Sequence, residues 1–208
     1  MSVILPREFY SGSAVELAPM LLGKLLVREL DGAKLVGRIV EVEAYMGQGD
    51  TASHASRGLT PRNRTMFGPP GHAYVYLIYG MYHCLNVVTG PAGEAQAVLI
   101  RAVEPLSGVD IMQARRQRPV VDRDLTNGPG KLCQAFGVDR SLDGHDLCSA
   151  NQLWLEDAPP PPEIVCAGPR VGIRGDEVAL TRPWRFFLQD NPYVSRTKLN
   201  RACLENGV

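Results

Sequence analysis

Two glutamates, Glu41 and Glu43, lie two residues apart in the run Gly37–Tyr45, which is otherwise largely apolar. Strand alternation would put Glu41, Glu43 and Tyr45 on one face. Two carboxylates on one face suit an acid/base dyad for cleavage of a glycosidic bond. Apolar neighbours favour at least partial burial, which raises a carboxyl pKa toward that of a general base. The plainer alternative, commoner for a strand glutamate, is a solvated or arginine-paired side chain.

A second concentration lies downstream. Tyr74, Tyr76, Tyr79 and Tyr82 fall within nine positions. Tyrosines on a β-ribbon are most often ordinary core or surface aromatics. Their crowding around a turn near Gly80-Met81 points elsewhere, because exposed aromatics at a hairpin tip suit insertion between stacked bases. Together with Tyr45 they suggest a pocket that stacks a flat ring beside a bond to be hydrolysed. Parity constrains that pocket. A two-residue turn at Gly80-Met81 sets Tyr76 opposite Leu85 and turns Asn86 away. Tyr76 and Asn86 share a face only if the loop is odd in length or bulged.

The other chemically able residues are weaker signals. His54, His72 and His83 form no His-x-x-x-His pair, and no Cys-x-x-Cys occurs, so no metal site is expected. A lone histidine is more often a hydrogen-bonding group than a ligand. Gly128-Pro129-Gly130-Lys131 is followed by Leu132 and so fails the phosphate-loop pattern. It remains either a plain turn and helix start or a set of backbone N–H groups offered to a phosphate.

The elements that must position these residues can be sketched. Ser13 is a helix cap, with Leu17, Leu21 and Leu22 near one face, Pro19 as a kink or stop, and Gly23 as the end. Residues 24–29 and 36–45 read as strands joined at Asp31-Gly32, a hairpin turn signal. Residues 46–71 lack periodicity and carry Arg57, Arg62 and Arg64, so this long loop is expected to be functional. Residues 74–88 read as a hairpin and 97–103 as a buried strand. Helices are predicted over 108–118 and 131–136, a surface loop over the Pro159–Pro162 run, and late strands over 170–173 and 184–188. The sum is an α+β fold: one mixed domain over residues 1–208, with a mostly antiparallel curved sheet, flanking helices and a protruding β-hairpin.

Composition bounds the rest. A chain of 208 residues fits one domain with a sizeable core. Formal net charge is zero, which excludes a global basic signature but not a local basic face. Five scattered cysteines, with no signal-like apolar start, point to free thiols in a reducing compartment. No run is apolar and long enough to span a membrane.

Taken in order, Gly37–Tyr45, His54, Thr60–Arg64, Met66-Phe67, Tyr74–Asn86, Leu99–Ala102 with Glu104-Pro105, Gly128–Ala135, Arg170–Ile173 and Arg185-Phe186 resemble the alkyladenine (3-methyladenine, N-alkylpurine) DNA glycosylase family. The resemblance runs from about Glu16 to Ser195. Val42, where a threonine is familiar, and Trp184, where a leucine is familiar, are small departures.

That resemblance implies a monofunctional enzyme that flips a damaged purine out of duplex DNA and hydrolyses its N-glycosidic bond, starting base excision repair. It implies Glu43 as the general base, with Arg101 and the Val171 carbonyl holding the water. It implies Tyr45, His54 and Tyr76 as pocket walls, Asn86 as the gatekeeper against guanine, and Tyr79, flanked by Met81 and Tyr82, as the wedge in the DNA. Glu41 then takes the arginine-paired role. The implied substrates are 3-methyladenine, 7-methylguanine, hypoxanthine and ethenoadenine, with no cofactor and no metal. The implied partner is double-stranded DNA bound by a monomer, in the nucleoid-bearing cytoplasm of a bacterium or the nucleus of a eukaryote. Two other readings compete: a damaged-DNA-binding protein without chemistry, and a metal-dependent hydrolase using His54, His72 and His83.

Overall fold

The computed structural model describes residues 3–117, 121–201 and 204–205. Its first helix starts as the sequence predicts. The Ser13 side chain accepts from the Glu16 N–H while the Glu16 carboxylate accepts from the Ser13 N–H, a reciprocal capping box. The helix α1 (Ala14–Leu21) contains Pro19, which has no N–H to give the Val15 carbonyl one turn earlier, and it closes with the Leu22 N–H donating to the Pro19 carbonyl. Leu17 and Leu21 are buried, worth about 1.5–3 kcal/mol each.

Asp31 and Gly32 then take left-handed φ values of 52° and 79°. These fit a tight two-residue turn between β1 (Leu25–Leu30) and β2 (Ala33–Tyr45), with Leu30 paired to Ala33. Strand β2 is the spine of the sheet. One edge pairs along its length with β5 (Ala97–Ser107). The other edge is shared, first by β1 and then by β8 (Arg185–Leu188). Adding β3 (Ala73–Ile78), β4 (Tyr82–Val88), β6 (Leu153–Glu156), β7 (Val165–Gly168) and β9 (Leu204–Glu205) gives the order β3-β4-β5-β2-β8-β7-β9, with β1 joining β2 to β6. Every pairing in this curled sheet is antiparallel. The fold class is α+β, as expected.

The helices α2 (Val109–Arg115) and α3 (Pro129–Phe136) pack against each other. α3 also lies on β4 and β5, and α1 on β2 and β5, so their apolar faces and the sheet make one core. A smaller cluster of Ala55, Met66, Tyr74, Val88, Ala95 and Ala97 lies under Phe67 and Tyr76. It anchors residues 46–71, whose loop is ordered by Asn63: the amide donates to the His54 and Gly58 carbonyls and accepts from the Thr60 N–H. A short helix, α4 (Glu177–Thr181), follows β7.

The hairpin meets the parity condition: Ile78 pairs with Tyr82, leaving a three-residue loop in which Tyr79 and Gly80 are both left-handed. Three expectations need correction. Residues 170–173 form no strand; Gly172 is left-handed, and the Val171 N–H goes to a side chain rather than to a ladder partner. The helix predicted over 108–118 spans Val109–Arg115, with Arg118 outside the described residues. Cys84, Cys133 and Cys148 are free thiols, but Cys166 is disulfide-bonded. Among the described residues, no helix is long and apolar enough to cross a membrane.

Candidate active site

Alternation along the end of β2 delivers Glu43 and Tyr45 to one place. Glu43 is fully buried. Its Oε2 accepts from the Tyr45 hydroxyl at 2.7 Å, and its Oε1 accepts from the Val171 N–H at 2.7 Å. Arg101 Nη1 stands 3.2 Å from the same Oε1. Desolvation and the Glu43 charge push the Tyr45 phenol well above its ordinary range, so it is a fixed donor.

Arg101 reaches this position through a bulge. Glu41 pairs with Ala102 and Val42 with Ile100, so Arg101 is the extra residue on β5. A bulge re-aims the side chain it carries. Arg101 Nε meets Glu41 Oε1 at 3.3 Å, and Nη1 lies 3.5 Å from the Val171 carbonyl. Burial acts against the Arg101 charge, but Glu43 and Glu41 more than restore it and hold the guanidinium protonated.

Glu41 is equally buried and takes the arginine-paired role. Arg185 Nη1 donates to its Oε1 at 2.8 Å and the Ser195 N–H to its Oε2 at 2.8 Å. Desolvation works against its charge, yet Arg101 and Arg185 outweigh burial and keep its pKa below the ordinary value. The two carboxylates therefore are not an acid/base dyad of equivalent groups. One closes a buried ion cluster; the other sits beside the pocket.

A second buried ion pair escaped the sequence reading. Arg170 and Asp50 form a two-pronged bridge, both bonds 2.7 Å, with neither side chain exposed. Arg170 also donates to the Ala44 carbonyl and lies 4.8 Å over the Tyr45 ring and 5.2 Å over Trp184. Asp50 accepts from the Met46 and Ala52 N–H groups. One bridge thus ties the residues next to Glu43, Tyr45 and Val171. No local signal marks Asp50, since its partner lies 120 positions away.

The pocket beside Glu43 encloses about 460 Å³. Tyr45, His54, Tyr76 and Asn86 all line it, with Arg101 and Val171. The ring of His54 meets Tyr76 edge-on at 4.5 Å and accepts or donates at 3.0 Å with the Tyr74 hydroxyl. Tyr74 and Tyr76 stack obliquely at 5.2 Å. Asn86 pairs directly with Tyr74 across the hairpin and donates to its carbonyl. The odd loop is what makes this possible: it sets Tyr76 opposite Cys84 and brings Asn86 to the tyrosine face.

At the hairpin tip Tyr79 is 79 % exposed, Met81 66 % and Tyr82 42 %. A tyrosine in the left-handed region costs on the order of 1–3 kcal/mol, so the fold accepts strain to present this ring. The start of α3 braces the hairpin: a Cβ on Gly130 would stand 3.1 Å from Tyr82. Arg62 lies 5.7 Å over Tyr76 and donates to the Leu77 carbonyl, while Arg57 and Arg64 stay exposed.

The three candidate histidines take separate places. His54 is in the pocket, His72 sits by Arg7 and the Pro69 carbonyl, and His83 pairs with Leu77 on β4. Among the described residues, no three His, Cys, Asp or Glu side chains are grouped to hold a metal ion.

A buried glutamate beside an aromatic pocket, next to a hairpin with an exposed aromatic tip, suits a DNA glycosylase, and the comparisons with known proteins place the chain in that class of hydrolases. The model of the methylpurine-DNA glycosylase (MPG) family matches residues 8–192. A protein of Methanocella arvoryzae is 50% identical over 193 residues, covering 93% of this chain and 96% of its own. One from Burkholderia lata is 50% identical over 194 residues (92% and 91%), and one from Clostridium tetani 46% over 198 (91% and 98%). All three bear the name "Putative 3-methyladenine DNA glycosylase". The chain belongs to the methylpurine-DNA glycosylase family, and its activity is that of a DNA glycosylase, a hydrolase of N-glycosyl bonds in the repair of alkylated DNA.

Proposed function

We propose that the protein flips alkylated or deaminated purines out of double-stranded DNA and hydrolyses the N-glycosidic bond with a water activated by Glu43. Its substrates are 3-methyladenine, 7-methylguanine, hypoxanthine and ethenoadenine. The observation that carries this reading is the arrangement of Arg101, the Val171 carbonyl and Tyr45, which line the pocket, around Glu43 buried directly behind them. A carboxylate has about four acceptor positions. Three are filled, two on Oε1 and one on Oε2, leaving one on Oε2 for a water. That water donates hydrogen bonds to Glu43 and to the Val171 carbonyl and accepts one from Arg101, so its remaining lone pair is aimed at the sugar carbon, and one proton passes to Glu43 as the new C–O bond forms and the base leaves.

The flat base enters between Tyr45, His54 and Tyr76. Alkylation at N3 or N7 makes the purine cationic, which weakens its glycosidic bond and adds cation–π attraction of roughly 0.5–2 kcal/mol. For these cationic bases strong acid catalysis is then unnecessary; the neutral hypoxanthine and ethenoadenine take a proton from solvent as they leave. Asn86 at the pocket wall crowds the exocyclic amine of guanine. Tyr79, with Met81 and Tyr82 beside it, fills the gap in the stack and offsets part of the few kcal/mol that flipping costs. Arg57 and Arg64 meet phosphates, so binding weakens as salt rises. The chain works as one glycosylase domain and as a monomer, without cofactor or metal.

The test is single-turnover base release from duplex oligonucleotides carrying hypoxanthine or an alkylated purine, by wild type and Glu43→Gln, with and without chelator. Release that resists chelator and disappears in the variant, with binding kept, is expected. Release retained by Glu43→Gln would remove Glu43 as the base.

A further inference from the structure

Glu41 makes contacts that a structural staple does not need. It shares Arg101 with Glu43: the Nε edge of the guanidinium faces Glu41 at 3.3 Å, and the Nη1 corner faces Glu43 at 3.2 Å. Its other cation, Arg185, comes from the opposite neighbour strand, β8, and is fully buried. The Arg185 guanidinium is fixed in turn by the Pro169 carbonyl and by Asn200. Two carboxylates and two guanidiniums thus make a neutral cluster, buried except where Arg101 meets the pocket.

We infer that Glu41 is a positioning residue for base release: it occupies the Nε edge of Arg101, so that only one corner is offered to Glu43 and to the water, and it balances the charge of Arg185. The inference rests on the water-activating role proposed above for Glu43 and Arg101. Its physical content is a choice between two placements of Arg101. With Glu41 present, the guanidinium is stretched between two carboxylates and keeps Nη1 near the Val171 carbonyl. Without it, two cations face the single charge of Glu43. Arg101 then turns to embrace Glu43 through two N–H groups, the geometry a guanidinium prefers. That embrace fills the acceptor position the water needs.

The charged and titratable groups around Glu43 are few. Among the described residues they are Arg101 on β5, Glu41 and Tyr45 on β2, Arg185 on β8, Tyr76 on β3, Cys84 on β4 and, behind Tyr45, Arg170 and Asp50, whose charges cancel in their bridge. Tyr76 and Cys84 are pushed upward by burial and stay neutral near physiological pH. The balance felt by Glu43 is therefore set by Glu41, Arg101 and Arg185. Removing Glu41 and removing Arg185 must change that balance in opposite directions.

The experiment measures single-turnover release of hypoxanthine against pH for wild type, Glu41→Gln and Arg185→Gln, with the melting temperature and the affinity for damaged duplex of each. Glu41→Gln is expected to lose about 10–100-fold in rate at neutral pH with affinity kept, and its acid limb to move down by about one pH unit. The acid limb of Arg185→Gln is expected to move up. A merely structural role predicts rate losses that follow the melting temperatures, with both limbs unmoved; that result would overturn the inference. If Glu41→Gln does not fold, Arg185→Gln decides alone: an acid limb moved up supports it, and an unmoved or lowered limb overturns it. The Glu43→Gln control separates the two readings. Release kept by that variant removes the proposed mechanism itself, whereas release abolished there with wild-type profiles in the other two removes only the role of Glu41.

Discussion

The Tyr45 hydroxyl donates to Glu43 Oε2 at 2.7 Å, across a two-residue step of one strand. The ring behind that hydroxyl is also a wall of the pocket. One side chain therefore orients the carboxylate and meets the base.

Tyr45→Phe separates the two roles. The ring stays and the hydrogen bond goes. A bond to a charged acceptor is worth about 1.5–3 kcal/mol, so single-turnover release should fall by on the order of 10–100-fold. Affinity for damaged duplex should change little. A rate within twofold of wild type would show that Glu43 keeps its orientation without the phenol.

Tyr79→Ser tests the wedge. The ring is exposed, so unfolding free energy should move by no more than about 0.5 kcal/mol. Binding to damaged duplex should weaken clearly, and a base analogue that fluoresces on unstacking should report less flipping. Unchanged binding would take Tyr79 out of the wedge role.

Asp50→Asn breaks the bridge to Arg170 and leaves a buried guanidinium short of its counter-charge. Loss of one partner of a buried pair costs about 3–5 kcal/mol, readable as a lower urea midpoint. Catalysis should fall as well in the fraction still folded, since Arg170 precedes Val171, whose N–H holds Glu43. Wild-type stability would mean that the bridge adds nothing beyond its own desolvation.

His54 gives a pH dependence. Partial desolvation beside the Tyr74 and Tyr76 rings, and second the Arg62 charge, hold its pKa below the ordinary 6.5. The unfolded chain therefore takes up a proton first as pH falls. The contribution of His54 is present above about pH 6.5 and is lost as pH drops through the folded value. The fall in melting temperature between about pH 7.5 and 5.5 should be smaller in His54→Gln than in wild type. Equal falls would show that His54 titrates alike in both states.

Local chemistry was legible in the linear chain wherever its cause was local. The Ser13 cap, the Asp31-Gly32 turn and the shared face of Glu43 and Tyr45 follow from spacing alone, because caps, turns and strand alternation act over two to four residues. The parity of the tyrosine hairpin was legible as a condition, an odd loop if Tyr76 and Asn86 share a face, and the left-handed Tyr79 and Gly80 supply it. Tertiary structure alone decided the rest. Glu41 found Arg185 across 144 positions and Asp50 found Arg170 across 120. The bulge at Arg101 exists only because β2 and β5 pair out of step. The strand expected over 170–173 gave way for the same reason, since the Val171 N–H met a buried carboxylate before it met a ladder. Residue types set which groups can ionise, stack or turn. Which charges share a dry interior is set by strand order, and neither periodicity nor composition encodes that order.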